Sequence, residues 1–227
     1  MSVRPRTLLL DALGTLVRLE APAPRLRAEL AQRFGVRVSV AQAEDAMSAE
    51  IRYYRAHLNE GGDAAGLAAL RGRCAEVLRA ALPQSQTLSA VARPELERAL
   101  LSSLRFTAYD DALAALSALH ADGVTLVVIS NWDLSLHDVL ERVGLSELLS
   151  AVVTSAEAGW RKPSPEIFTR GLALAGSTSG EAMHVGDSEA EDVIGARAAG
   201  IEPILISRSG EGGPEGVRTI RALTELI

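Results

Sequence analysis

Apolar residues along the chain fall into short continuous runs, separated by longer stretches whose apolar positions recur every three or four residues. The runs at 8–10, 124–129, 151–154, 183–185 and 203–206 predict strands. They are continuous and not alternating, which is the pattern of strands covered on both faces of a parallel sheet. The stretches at 110–121, 134–143, 165–174 and 189–199 predict amphipathic helices between them. Strand follows strand at about 30 residues, the size of a right-handed βαβ unit. The expected fold class is therefore α/β, with a doubly wound parallel sheet.

Residues 17–104 break this rhythm. They hold no β-branched run, are rich in Ala, Leu, Arg and Glu, and are punctuated by Pro22, Pro24, Gly61, Gly62, Pro83 and Pro94. Such punctuation predicts several short helices forming a second module, inserted after the first strand. The remaining core is then 1–16 with 105–227. Arg25, Arg27, Arg33 and Arg37 cluster in the insert, either as a solvated helix face or as a surface that closes on an anionic substrate. The glycine-rich stretch 210–216 reads as a flexible loop before a terminal helix.

A length of 227 residues suits one domain with an insert, or two small ones. The formal charge of −6 gives no electrostatic footprint for a nucleic-acid backbone or an anionic membrane. No apolar run approaches the ~20 residues of a membrane span. Arg4 and Arg6 precede a leucine run, but Asp11 interrupts it, unlike the core of a signal peptide. Cys74 is the only cysteine, so no intrachain disulfide can form and a cytoplasmic location is expected. Of the 23 basic residues only Lys162 is a lysine. In a chain that otherwise uses arginine, this position calls for a compact ammonium and not a planar fork.

Ligands of open α/β sheets sit outside the carboxyl ends of the strands, so the residues that end each predicted strand are the candidates. The first strand gives Asp11, followed by Ala12, Leu13, Gly14 and Thr15; the second gives Ser130 and Asn131. The third leads through Gly159, Trp160 and Arg161 to Lys162, and the fourth gives Asp187, with Asp192 beyond it. Singly, an Asp or Ser after a strand is commonly a helix cap; together on consecutive strand ends these residues make a site. A carboxylate there can act as a nucleophile. Asp11 and Asp187 would repel unless a divalent cation lay between them, and hard oxygen donors suit Mg²⁺. Lys162 would offset the remaining negative charge, while Ser130 and the backbone amides after Asp11 could bind phosphate oxygens. The four histidines, His57, His120, His137 and His184, are scattered and read as structural or surface residues.

The motifs DALGTL at 11–16, SN at 130–131, KPSPEIF at 162–168 and HVGDSEAED at 184–192 resemble the haloacid dehalogenase-like hydrolase superfamily, in its branch with a helical cap (C1-type, subfamily I). The resemblance covers nearly the whole chain. It implies a Rossmann-like core with an inserted all-helical cap, Asp11 as nucleophile and Lys162 as charge clamp. It also implies Thr15, Ser130, Asn131 and Lys162 as the phosphate-binding set. Mg²⁺ would be held by Asp11, the Leu13 backbone carbonyl and Asp187, with Asp192 behind them. The implied partner is a small-molecule substrate, a phosphorylated metabolite or a haloacid, acted on by a monomer or homodimer.

Two positions pull the implied activity apart. Phosphatases of the family carry a second Asp where this chain has Leu13; that Asp protonates the leaving oxygen and later activates water. A general acid–base of this kind contributes about 10²–10⁴ in rate. The family's dehalogenases lack it, since halide leaves without a proton. Asp187 points the other way, because those dehalogenases generally replace this metal ligand with Ser or Asn. Three readings stay open: a Mg²⁺-dependent phosphatase with weakened acid–base catalysis, a dehalogenase-type hydrolase, and a weak or inactive protein that binds Mg²⁺ and a phosphorylated ligand. Glu191, where many relatives have Asn, is a minor departure.

Overall fold

A computed structural model describes residues 5–227; Arg4, considered above at the amino end, lies outside them. The chain divides into two compact units, Leu19–Phe106 and Thr107–Ile227 with the segment up to Arg18.

The second of these is built on a six-stranded sheet. Its strands are β1 (Thr7–Leu10), β4 (Thr125–Ser130), β5 (Ala151–Thr154), β6 (Ala182–Gly186), β7 (Glu202–Ile206) and β8 (Arg218–Ile220), in the spatial order β5-β4-β1-β6-β7-β8. Every neighbouring pair is parallel. All four residues of β1 are buried, so both faces of the central strand are covered, as its unbroken TLLL requires. On one face Leu9, Val127, Ile129 and Val153 pack against Ile167, Phe168 and Leu172 of the helix Pro165–Ala175. That helix begins on a proline and stops at Gly176, whose φ of 61° lets the chain turn off the last carbonyls. β1 and β6 run side by side in register, Leu10 against Val185, so the residues that follow them leave the sheet on the same edge.

The helical insert lies between two short strands, β2 (Val17–Leu19) and β3 (Phe106–Ala108), which pair with each other in a separate two-stranded sheet. It comprises α1 (Pro22–Phe34), α2 (Val40–His57), α3 (Ala64–Ala81), α4 (Gln86–Ala90) and α5 (Arg93–Ser103). Ser39 and Gln42 cap α2 reciprocally, and Asp63 accepts from the Gly66 amide at the start of α3. A core of Leu26, Leu30, Met47, Leu70, Leu78, Leu96 and Leu100 holds the helices together.

Several elements differ from the sequence-based expectation. Two insert helices run to 18 residues and are not short. The chain end is β8 followed by a 3₁₀ turn, Leu223–Leu226, and not a terminal helix. The expected helix at 189–199 is one π turn, Glu189–Val193, followed by an α segment, Ile194–Ala198. Of the four insert arginines, Arg25 pairs with Glu20, Arg33 with Glu29, and Arg27 donates to the Val38 carbonyl; Arg37 is exposed. Among the described residues no helix is long and apolar enough to cross a membrane.

One acid sits in the insert's core. Glu50 is buried on the face of α2 that carries Ala43, Ala46 and Met47, with Cys74 as a hydrogen-bond partner. Burial pushes its carboxyl up to about 7, and Cys74 only partly opposes this. A raised folded-state value means stability that is complete below the ordinary 4.5 and lost as pH rises through about 7. Relative to Glu50→Gln, the wild-type protein should therefore lose about 3 kcal/mol across that window. Thermal unfolding of both proteins through the window would measure it; parallel curves would show that Glu50 does not titrate there.

Candidate active site

Asp11 follows β1 directly and is buried. Its Oδ1 accepts from Ser130 Oγ, the last residue of β4, at 3.0 Å, and from Lys162 Nζ at 2.6 Å. The same ammonium donates to Asp192 Oδ1, also at 2.6 Å. Asn131 clamps the segment that delivers the lysine: its Oδ1 accepts from the Lys162 amide at 2.8 Å, and its Nδ2 donates to the Lys162 carbonyl at 3.0 Å. Asn131 thus meets the main chain of Lys162, while Ser130, Lys162, Asp187 and Asp192 gather round Asp11. Of the two tryptophans that flank these loops, Trp132 is buried and Trp160 exposed.

Two glycines allow the close approach. Gly14 has φ of 85°, and a Cβ there would stand 2.0 Å from Asp187 Oδ2. A Cβ on Gly186 would meet the Asp192 carboxyl carbon at 2.1 Å. Any side chain at either position would push a carboxylate out of place. The turn after Asp11 is also anchored from outside: Arg208 donates to the Thr15 carbonyl at 2.6 Å and grips both Asp111 oxygens at 2.8 and 2.9 Å. Its guanidinium lies 4.0 Å from the Tyr109 ring centroid. Thr15 is itself buried, and its hydroxyl has no hydrogen-bond partner among the described residues.

The charges do not balance. Asp11, Asp187 and Asp192 bring ligand oxygens within 4.8 Å of one another, and the one ammonium among them is Lys162. Burial opposes the Asp192 charge, but Lys162 and His184 together hold this carboxyl well below the usual range. Lys162 is correspondingly raised: burial disfavours its charge, and Asp11 and Asp192 more than offset that. Asp11 is less well served. Burial raises its carboxyl, Lys162 pulls against the rise, and Asp192 adds to it. Asp187 lies at the exposed rim of the cluster, but partial desolvation and the neighbouring Asp11 and Asp192 push its carboxyl up to about 7. A divalent cation fits this set, because it removes the repulsion between Asp11 and Asp187 and meets only hard oxygen donors. Asp192 is the least available donor. Its Oδ1 takes Lys162 and His184, and its Oδ2 takes the Ser188 amide at 3.0 Å.

His184 and Arg208 are the site neighbours that sequence reasoning missed. An open cavity of about 320 Å³ adjoins Asp187 and Gly14, walled by Tyr109, Arg208 and the loop after β7.

Known proteins share this arrangement of chain. The family model for a haloacid dehalogenase-like hydrolase matches residues 5–200. "Haloacid dehalogenase-like hydrolase domain-containing protein 3" of Bos taurus is 36% identical over 60% of this chain, which spans about half (52%) of that protein. The protein of the same name from Mus musculus is 31% identical over 90% of the chain and 82% of its own length. A phosphoserine phosphatase of Thermus thermophilus is 32% identical over 58% of the chain and 53% of its length. Among solved structures, a HAD phosphatase from Thermococcus onnurineus superposes with a TM-score of 0.67 at 25% identity, covering 97% of this chain and 95% of that one. A magnesium-bound HAD hydrolase of Bacillus subtilis gives 0.69 at 21% identity, covering 99% and 97%.

Magnesium should raise the melting temperature well at about pH 8 and little at about pH 6, since Asp187 must shed a proton, held up to about 7, before binding a cation. At a hundredfold excess over Kd the gain is about 2.7 kcal/mol. Asp187→Asn should abolish it. Melting curves with and without Mg²⁺ at both pH values test this; an equal shift at both, or one that survives in the variant, would sink the assignment.

Proposed function

We propose, since the chain belongs to the haloacid dehalogenase-like hydrolase family, that it is a Mg²⁺-dependent phosphatase of a small phosphorylated metabolite, working through an aspartyl-phosphate on Asp11. The observation that carries the reading is the placement of Asp187 beside Asp11 and Asp192. A hydrolase that needed no cation would have no use for a third carboxylate there. The phosphatase relatives support the same choice. In this reading 1–16 with 105–227 is the catalytic core, and 17–104 is the cap that selects the substrate.

Both side-chain donors to Asp11 end on Oδ1, which leaves Oδ2 for attack on phosphorus. The Oδ2–P bond forms as the ester P–O bond breaks, and the leaving oxygen departs with the electron pair. Lys162 keeps Asp11 ionised against its burial and offsets charge on the phosphoryl group. The Ser130 hydroxyl, once it turns its one hydrogen away from Asp11 Oδ1, and the Thr15 hydroxyl would donate to phosphoryl oxygens, and Asn131 keeps Lys162 in place by its main chain. Asp11, the Leu13 carbonyl and Asp187 would hold Mg²⁺, which when bound would neutralise phosphoryl charge. Asp192 orients Lys162. Water then attacks phosphorus, the acyl-phosphate bond breaks, and inorganic phosphate and free Asp11 result.

Leu13 supplies no proton to the leaving oxygen and no base to the water. Aryl and acyl phosphates, whose leaving groups need no proton, should be hydrolysed with Mg²⁺ while alkyl phosphates react poorly. Leu13→Asp should raise alkyl phosphatase activity by less than the full 10²–10⁴ or so of a general acid–base, because the side chain it replaces is apolar. Asp11→Asn should abolish all turnover. Phosphate and chloride release, read in parallel with and without Mg²⁺, check these outcomes. The missing acid also favours a second reading, dehalogenase-type hydrolysis, and chloride release without Mg²⁺ would establish it. Neither product, with no gain from Leu13→Asp, would leave a Mg²⁺- and phospho-ligand-binding protein.

A further inference from the structure

His184 lies on β6, fully buried, three residues before Asp187. Its Nε2 stands 2.8 Å from Asp192 Oδ1, the oxygen that also takes Lys162 Nζ at 2.6 Å. Asp192 is an acceptor, so Nε2 carries the hydrogen and donates. The other ring nitrogen, Nδ1, is buried with no partner among the described residues, and the ring meets Phe168 edge to face with centroids 5.0 Å apart. A wholly buried imidazole with a single hydrogen bond is a costly way to fill space inside a strand, where a leucine would pack without desolvating a polar group. The one polar contact it makes is therefore what the position holds it for.

That contact acts on the reaction centre through a continuous chain: His184 Nε2 to Asp192 Oδ1, Asp192 Oδ1 to Lys162 Nζ, and Lys162 Nζ to Asp11 Oδ1. Asp192 needs such help. It hangs from a single π turn and, apart from Lys162 itself, is otherwise steered among the described residues by the Ser188 amide, which takes the other oxygen. Without a second donor, Oδ1 can rotate with Lys162 and carry the ammonium away from Asp11. We propose that His184 is a positioning residue that fixes Asp192 Oδ1 and so sets Lys162 against Asp11. The inference deepens the phosphatase reading, because it names what aims the ammonium at the nucleophile.

Lys162 is the one lysine of the chain, so the 227-residue chain grown on lysine labelled at its side-chain carbon and nitrogen gives a single side-chain NMR signal. His184→Gln keeps a donor where Nε2 was and should hold that signal near its wild-type position. His184→Phe keeps an aromatic ring on Phe168 but loses the donor, and should displace the signal or broaden it beyond detection. Beryllium fluoride with Mg²⁺ should bind the Phe variant at least about tenfold more weakly, the usual effect of losing such a supporting partner, and the Gln variant close to wild type. A wild-type lysine signal in His184→Phe, or equal displacement in both variants, overturns the proposal and leaves a packing role. If the Phe variant does not fold, the Gln variant alone decides, since a moved signal there shows that the donor is not what matters. The lysine signal is read without ligand, so it stands even if wild-type protein binds no beryllium fluoride, which would count against the phosphatase reading alone.

Discussion

Lys162 Nζ stands 2.6 Å from an oxygen of Asp11 and 2.6 Å from one of Asp192, with almost none of its side chain in contact with water. An arrangement of this kind adds little net stability, because desolvating the charges costs about what their attraction returns. Losing one member is different, since it strands a buried charge at about 3–5 kcal/mol. The interaction is thus a constraint on position more than a source of stability. The Gly14 turn must lie flat against Asp187, Gly186 must lack a side chain under Asp192, and Asn131 must hold the lysine backbone from both sides. Each is a consequence of bringing three carboxylates round one ammonium.

The constraint also explains the chain's one departure from arginine. A guanidinium is bulkier and fixes its donors in one plane, in a fork shaped for the two oxygens of a single carboxylate. An ammonium can direct separate hydrogens at Asp11 Oδ1 and Asp192 Oδ1 from one atom. Arg208 does the complementary job on the same edge of the sheet. It grips both oxygens of Asp111, reaches the Thr15 carbonyl and lies over Tyr109, a set of contacts that needs a fork and a flat face.

The sheet was legible in the sequence wherever a strand is covered on both faces, as at Thr7–Leu10 and Thr125–Ser130. Val17–Leu19, Phe106–Ala108 and Arg218–Ile220 escaped because each is three residues long with at most one buried position, too short for any period. The π turn at Glu189–Val193 escaped because its pattern over five residues is that of an ordinary helix. The strand-end residues could be assembled without coordinates, since a parallel sheet sends all its exits to one edge. His184 could not. Inside a strand it reads as core, and its polar partner Asp192 is defined only once the π turn has folded. Arg208 was hidden among 22 other basic residues by the same lack of a local signal.

What the site keeps and what it lacks separate two tasks that a phosphatase ordinarily combines. In the proposed reaction negative charge is handled by Lys162 and by the cation that Asp187 would help to hold, while Asp192 fixes the lysine at Asp11. Protons would be handled in that reaction by the side chain two residues after Asp11, and Leu13 has no group that can carry one. In the proposed reaction this selects substrates by leaving group: the charge machinery lowers the barrier for any phosphoryl transfer, while the oxygen that departs must be stable as an anion by itself. Hydrolysis of the acyl-phosphate suffers the same loss, because no side chain at position 13 activates water. The second step is therefore the slower one with good leaving groups, and Asp11 should accumulate in its phosphorylated form. Mass spectrometry of the protein quenched during turnover of an acyl phosphate would find the added phosphoryl mass on the peptide containing Asp11. An unmodified peptide at full turnover would mean that water is activated from elsewhere in the chain.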